Sequence, residues 1–172
     1  MNWLLVFIES LVWCAFFTIM MITLAARMKI KKDYSLATDY PPEIVERLVE
    51  QGKLKKEEKV SRGKMLVKKI PALIFYLAFF SCLLYFINGC RPFITGFLSS
   101  LIIMLVWTWY DALVLDCLIF VHTKLFVVEG TEDMTEAYHN YWFHIKASLV
   151  GTVLSVIGSL AIGGIIALIS NI

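Results

Sequence analysis

Charge is scarce in this chain. Asp, Glu, Lys and Arg make up 17% of it, against about a quarter in a soluble globular domain. With 59% hydrophobic residues and a mean hydropathy of +0.75, that scarcity excludes an ordinary soluble fold. The four cysteines, Cys14, Cys82, Cys90 and Cys117, form no Cys-x-x-Cys pair and read as small apolar fillers of helices. Cys82 and Cys90 would lie roughly 12 Å apart on a helix, too far for a disulfide. No basic residue precedes Arg27, so the positive n-region of a secretory signal is missing, and Trp3 to Ala26 is expected to be a retained first span. A Gly-rich phosphate loop, a Gly-x-Ser-x-Gly elbow and a His-Glu-x-x-His motif are all lacking. There is no convincing internal repeat and no low-complexity segment.

Four long apolar runs are present, at about 3–26, 70–88, 93–121 and 147–169, each near or above the ~20 residues that cross a hydrocarbon core as helix. The charge between them is uneven. Thirteen of the 16 basic residues lie between Arg27 and Lys69, with 7 acids, a net of +6, whereas Lys124 to Lys146 carries 2 basic and 4 acidic residues, a net of −2. Positive loops stay on the cytoplasmic side. The expected topology therefore has 27–69 and 122–146 in the cytoplasm, both termini outside, and a tight external turn at Gly89–Pro92. The expected fold is all-α, a single membrane domain over 1–172: a bundle of four transmembrane helices in the cell membrane with a small cytoplasmic cap of loop helices. Anionic lipid head groups are the expected partners of 27–69. Nucleic acid is not, because the basic residues are interleaved with acids and no reading domain accompanies them.

Local patterns add detail. Pro41 to Glu50 predicts a short amphipathic helix with Ile44, Val45, Leu48 and Val49 on one face, lying on the membrane or packed beneath the bundle. Leu54 to Lys69 reads as a helical extension of the second span, with Pro71 where that span enters the membrane. The third run holds 29 residues, about 43 Å of helix against a core of about 30 Å. Trp107, Trp109 and Tyr110 mark the inner boundary as an aromatic cluster at head-group level. Thr131 is a candidate N-cap for a helix running from about Glu132 into the fourth span.

Three sets of residues point toward function. In the fourth span Ala147, Gly151, Ser155, Ser159, Gly163 and Ala167 recur every fourth position. In lipid such a stripe marks close helix approach, either within the chain or toward an oligomer or another membrane protein. Acids in or near the spans form the second set: Glu9, with Arg91 or the Met1 amino group as its candidate partners, and Asp111 and Asp116. Ionisable groups there mark ion or substrate paths. Five residues place Asp111 and Asp116 about 140° apart on an α-helix, which predicts that they do not share a face. The third set is His122, Glu136, His139 and His144. Glu136 and His139 have the Glu-x-x-His spacing of di-iron bundles, but only once. Together with Asp116 or Glu132 these residues could hold a divalent metal. The plain alternative is a solvated helix with Tyr138, Tyr141 and Trp142 as an aromatic belt.

The resulting order of functions is a protein that binds or transports a small molecule or ion through a cytoplasmic-side polar site, then a membrane-embedded, metal-dependent enzyme at the inner leaflet, then a non-catalytic interaction subunit.

Overall fold

The computed structural model describes residues 2–55 and 62–171, with side chains outside 62–69. Helix accounts for 80% of the fold, and there are no strands among the described residues. The helices are α1 (Trp3–Lys31), a 3-10 turn (Tyr34–Asp39), α2 (Pro42–Glu50), α3 (Arg62–Phe86), α4 (Phe93–Tyr110), a π-helix (Asp111–Phe120), α5 (Thr135–Tyr138) and α6 (Tyr141–Ser170). Three helical stretches, Trp3–Lys31, Phe93–Phe120 and Thr135–Ser170, are long and apolar enough to cross a membrane; Ile70–Phe86 is apolar but shorter. The part of the expected extension at 56–61 lies outside the described residues, as does Met1.

The chain divides into two compact units. One gathers the described parts of Met1–Trp13, Glu58–Thr108 and Leu149–Ile172; the other comprises Cys14–Glu57 and Trp109–Ser148. The apolar parts of the first, 1–13, 70–108 and 149–172, carry only Glu9 and Arg91, while the 58–69 segment of the same unit adds one acidic and five basic residues. Its core joins Val6 of α1, Phe80 and Leu84 of α3, Cys90, Ile103 and Met104 of α4, and Ile162 and Ile166 of α6. Backbones approach closely where side chains vanish. A Cβ on Gly163 would meet the Phe93 carbonyl at 3.0 Å, and one on Gly96 would meet Ile166 at 2.7 Å. Buried hydroxyls turn inward to their own helices: Ser10 donates to the Val6 carbonyl, Ser100 to Gly96 and Ser155 to Gly151, each at 2.8 Å. That local bonding satisfies these three hydroxyls inside their own helices, whereas the buried Ser81 hydroxyl has no hydrogen-bond partner among the described residues.

The second unit holds most of the described charge. Lys32, with φ of +51°, ends α1 in the left-handed conformation, and Asp33 caps the 3-10 turn by accepting from the Ser35 amide. Helix α2 buries Ile44 and Leu48 completely in a core with Ala25, Met28, Ala37, Phe120, Phe126, Val128 and Tyr138. The Ile44/Leu48 face is packed within this unit.

Three local expectations are corrected. The segment from Glu132 does not run unbroken into α6. A short α5 ends at Tyr138, and α6 restarts after Asn140, whose side chain accepts from the Phe143 amide at 3.2 Å; asparagine is a strong N-cap. Thr131 caps nothing: it is fully buried, and its hydroxyl meets the Val128 carbonyl at 2.9 Å and the Tyr138 hydroxyl at 2.7 Å. The helix after Tyr110 is not α-wound but π-wound.

Candidate functional site

The change of winding sets the site. A π-helix bonds residue i to i+5, so side chains five apart return to one side. Asp111 and Asp116, expected to diverge by about 140° on an α-helix, both stand in the wall of one cavity of about 600 Å³ in the second unit. The sequence carries no breaker at this point, which is why the change of winding was not legible there.

The cavity is built from four parts of that unit. Helix α1 supplies Phe17, Met21, Leu24, Ala25 and Met28. The 3-10 turn and the residue after it supply Leu36, Thr38, Asp39 and Tyr40. Asp111, Asp116 and Phe120 come from the π-helix, and Phe143, His144 and Ala147 from the first turns of α6, with Phe126 closing the wall. Most of this lining is apolar, and the polar groups are few and placed.

His144 is the best buried of them, at 6% exposure. Its Nδ1 lies 2.9 Å from Asp116 Oδ2, and its Nε2 is buried without a hydrogen-bond partner. The ring is held edge-on by Phe120 and Phe143, with centroids at 5.5 and 5.2 Å. Asp111 makes no hydrogen bond or ion pair among the described residues. Tyr40 donates its hydroxyl to the Phe126 carbonyl at 3.0 Å. Burial, and then neighbouring Tyr138 and Asp116, push that hydroxyl well above its usual range, so it remains a donor at physiological pH.

The other candidates lie elsewhere. Glu9 belongs to the first unit, where it accepts from Asn88 Nδ2 at 2.8 Å. Neither expected partner is the one found: Arg91 donates to the Tyr85 and Cys90 carbonyls and lies 3.6 Å from the centre of the Tyr85 ring, and Met1 is outside the described residues. His122 and His139 face each other with ring centroids 6.0 Å apart, each Nδ1 bonded to the carbonyl four residues back, Leu118 at 2.9 Å and Thr135 at 2.7 Å. Glu136 is exposed on α5. Among the described residues no three His, Cys, Asp or Glu side chains form a group that could hold a metal ion.

The small-residue stripe of α6 is occupied within its own unit. Gly151 sits under Thr108, with a Cβ position 3.0 Å from that methyl. The Ser155 hydroxyl is 3.4 Å from Thr108 Oγ1, the Ser159 hydroxyl donates to Met104 Sδ at 3.4 Å, and Gly163 lies against Phe93 and Phe97.

No family model matches the chain, and no curated protein or solved structure shows significant similarity to it.

Proposed function

We propose that the chain is a four-span membrane protein that binds a small, largely apolar molecule in the Asp111–Asp116–His144 cavity, and holds or transports it from the cytoplasmic side. The observation that carries this reading is the cavity itself: about 600 Å³, walled by aromatic and aliphatic side chains, with two carboxylates and an imidazole as its inner polar groups. Small-molecule sites have that composition, an apolar body with a few oriented polar groups.

Several features support the membrane setting. Only 17%, 22% and 28% of the central windows of the three long apolar stretches are buried by the chain itself. Trp3, Leu4, Phe7, Leu11, Val12 and Ile19 of α1 are exposed, as are Leu73, Ile74 and Phe75 of α3 and Val150, Val153, Leu154 and Ile157 of α6. Apolar surface on that scale calls for lipid. Counting Ile70–Phe86 as a short span, matched by local thinning of the bilayer, gives four, with the +6 segment inside.

A second reading rests on Asp116 and His144, since a carboxylate holding one imidazole nitrogen and leaving the other bare is how a general base is oriented. An inner-leaflet enzyme would use that pair without a metal. Binding ranks first because His144 Nε2 is enclosed by protein. Docking of a further subunit through α6 ranks last, because α4 fills the stripe.

The test is occupancy of the cavity. In lipid nanodiscs, ligands that enter should raise the melting temperature with concentration, as any native-state ligand does. Ala147→Phe, which fills the cavity from its wall, should remove that rise. A rise equal in both proteins, or none for any small apolar or amphiphilic probe, would refute the reading.

A further inference from the structure

We infer that the cavity selects organic cations: molecules with an apolar body and one amine, ammonium or similar positive group. The inference rests on the binding reading above and names its ligand class.

Charge comes first. Asp39, Asp111 and Asp116 line the cavity, and among the described lining residues there is no lysine or arginine. His144 is the one cationisable lining group, and it is already engaged with Asp116. Even as imidazolium it balances a single carboxylate, so the formal charge of the lining stays negative. An anionic ligand would meet repulsion with nothing to offset it. A neutral one would displace water from Asp111, which has no hydrogen-bond donor among the described residues, and bring no charge to oppose it.

The walls supply the second argument. Five aromatic rings, Phe17, Tyr40, Phe120, Phe126 and Phe143, line the same cavity as the carboxylates. Ring faces are negative, and a cation enclosed by several of them gains most when desolvated, which is how cages for quaternary ammonium groups work. Tyr40 is fixed for this by its bond to the Phe126 carbonyl and its edge contact with Phe120 at 4.9 Å.

Size and donor geometry exclude the simplest cation. A bare divalent metal needs several ligands converging within about 2–2.6 Å of one point, and no such group of three exists among the described residues. A cavity of about 600 Å³ with mostly apolar lining would leave such an ion largely without protein ligands. It suits a body of ring or chain carbons, with the positive head toward Asp111 and the free edge of Asp116.

The probes are benzyltrimethylammonium and its uncharged carbon isostere neopentylbenzene, which differ in charge and hardly in shape. Binding to the full chain in nanodiscs is measured by titration calorimetry, with Ala147→Phe subtracting partition into lipid. The cation should bind about tenfold or more tightly than the isostere, the scale of one desolvated cation–aromatic or charge contact. Asp111→Asn should weaken the cation about tenfold and leave the isostere unchanged. If the isostere binds as tightly as the cation and Ala147→Phe blocks both, the charge inference falls while the binding site stands. If neither probe distinguishes the chain from Ala147→Phe, both readings fall together. Equal cation affinity with and without the Asp111 carboxylate also overturns the inference.

Discussion

His144 Nδ1 and Asp116 Oδ2 lie 2.9 Å apart in a wall that leaves the histidine only 6% exposed, while Asp111, five residues earlier, lines the same cavity with no hydrogen bond or ion pair among the described residues. The two aspartates are alike in chemistry and differ in what they support. Removing Asp116 as Asp116→Ala strands a buried imidazole nitrogen, a loss of about 1–3 kcal/mol for an unsatisfied buried polar group. Asp111→Asn breaks no bond among the described residues and removes a partly buried charge, so it should cost no stability. Denaturation of both variants in one detergent checks this, and equal losses at the two positions would contradict it.

Glycines of α6 give a second contrast. A Cβ on Gly163 meets the Phe93 carbonyl at 3.0 Å and two Phe side-chain carbons at 3.1 Å, whereas one on Gly164 meets nothing within 4 Å. Gly163→Ala must push α6 from α4 and should cost about 1–3 kcal/mol, as overpacking does. Gly164→Ala, its neighbour, should be neutral or should stabilise by up to about 1 kcal/mol, the helix-propensity difference. Melting curves of the two variants decide the matter. Similar losses would mean that the α4–α6 approach is looser than described.

The legible part of this molecule was what hydropathy encodes. The apolar runs at 3–26 and 147–169 fall within two of the long helical stretches and 93–121 matches the third to within one residue, and the Ile44/Leu48 face of α2 was visible in its spacing. The small residues of α6 were legible as a contact face, though not which partner filled it. The site was half legible. Asp111, Asp116 and His144 stood out as ionisable groups, but their convergence depends on a winding change without a sequence mark. Glu9 shows a similar limit: its partner Asn88 is 79 residues away, and a neutral amide draws no attention in a search for counter-charges. Thr131 looked like a cap because threonine before acids usually is one, but tertiary burial claimed it first.

That burial makes its own prediction. The Tyr138 hydroxyl donates or accepts at 2.7 Å with Thr131 and accepts from the Val128 amide at 2.9 Å, so one oxygen satisfies a buried hydroxyl and a buried backbone N–H. Tyr138→Phe keeps the ring against Phe120, at 5.6 Å between centroids, and deletes only that oxygen. The Val128 amide is left unsatisfied, at a cost of about 1–3 kcal/mol. Hydrogen exchange at Val128 should accelerate beyond the global change. Unaltered protection there would show that another acceptor takes the amide.

Acid should loosen the same loop through Glu129. The Tyr34 hydroxyl donates to its Oε2 at 3.2 Å and Lys32 Nζ approaches to 3.4 Å; the Tyr34 bond, then Lys32 and Lys53, hold the carboxyl below its ordinary 4.5. A folded value lower than the unfolded one means that the carboxylate's contribution is complete above pH 4.5 and fades as pH falls through the folded value. Glu129→Gln removes the titration and keeps an acceptor. The wild-type chain should melt above the variant at pH 7, and the gap should close as pH falls below 4.5 and through the folded value. Because the group is exposed, the gap is small, and the Lys32 part of it shrinks in about 1 M salt, where screening acts within about 3 Å. A gap that persists undiminished at the acid end would show that Glu129 acts through packing, not through its charge.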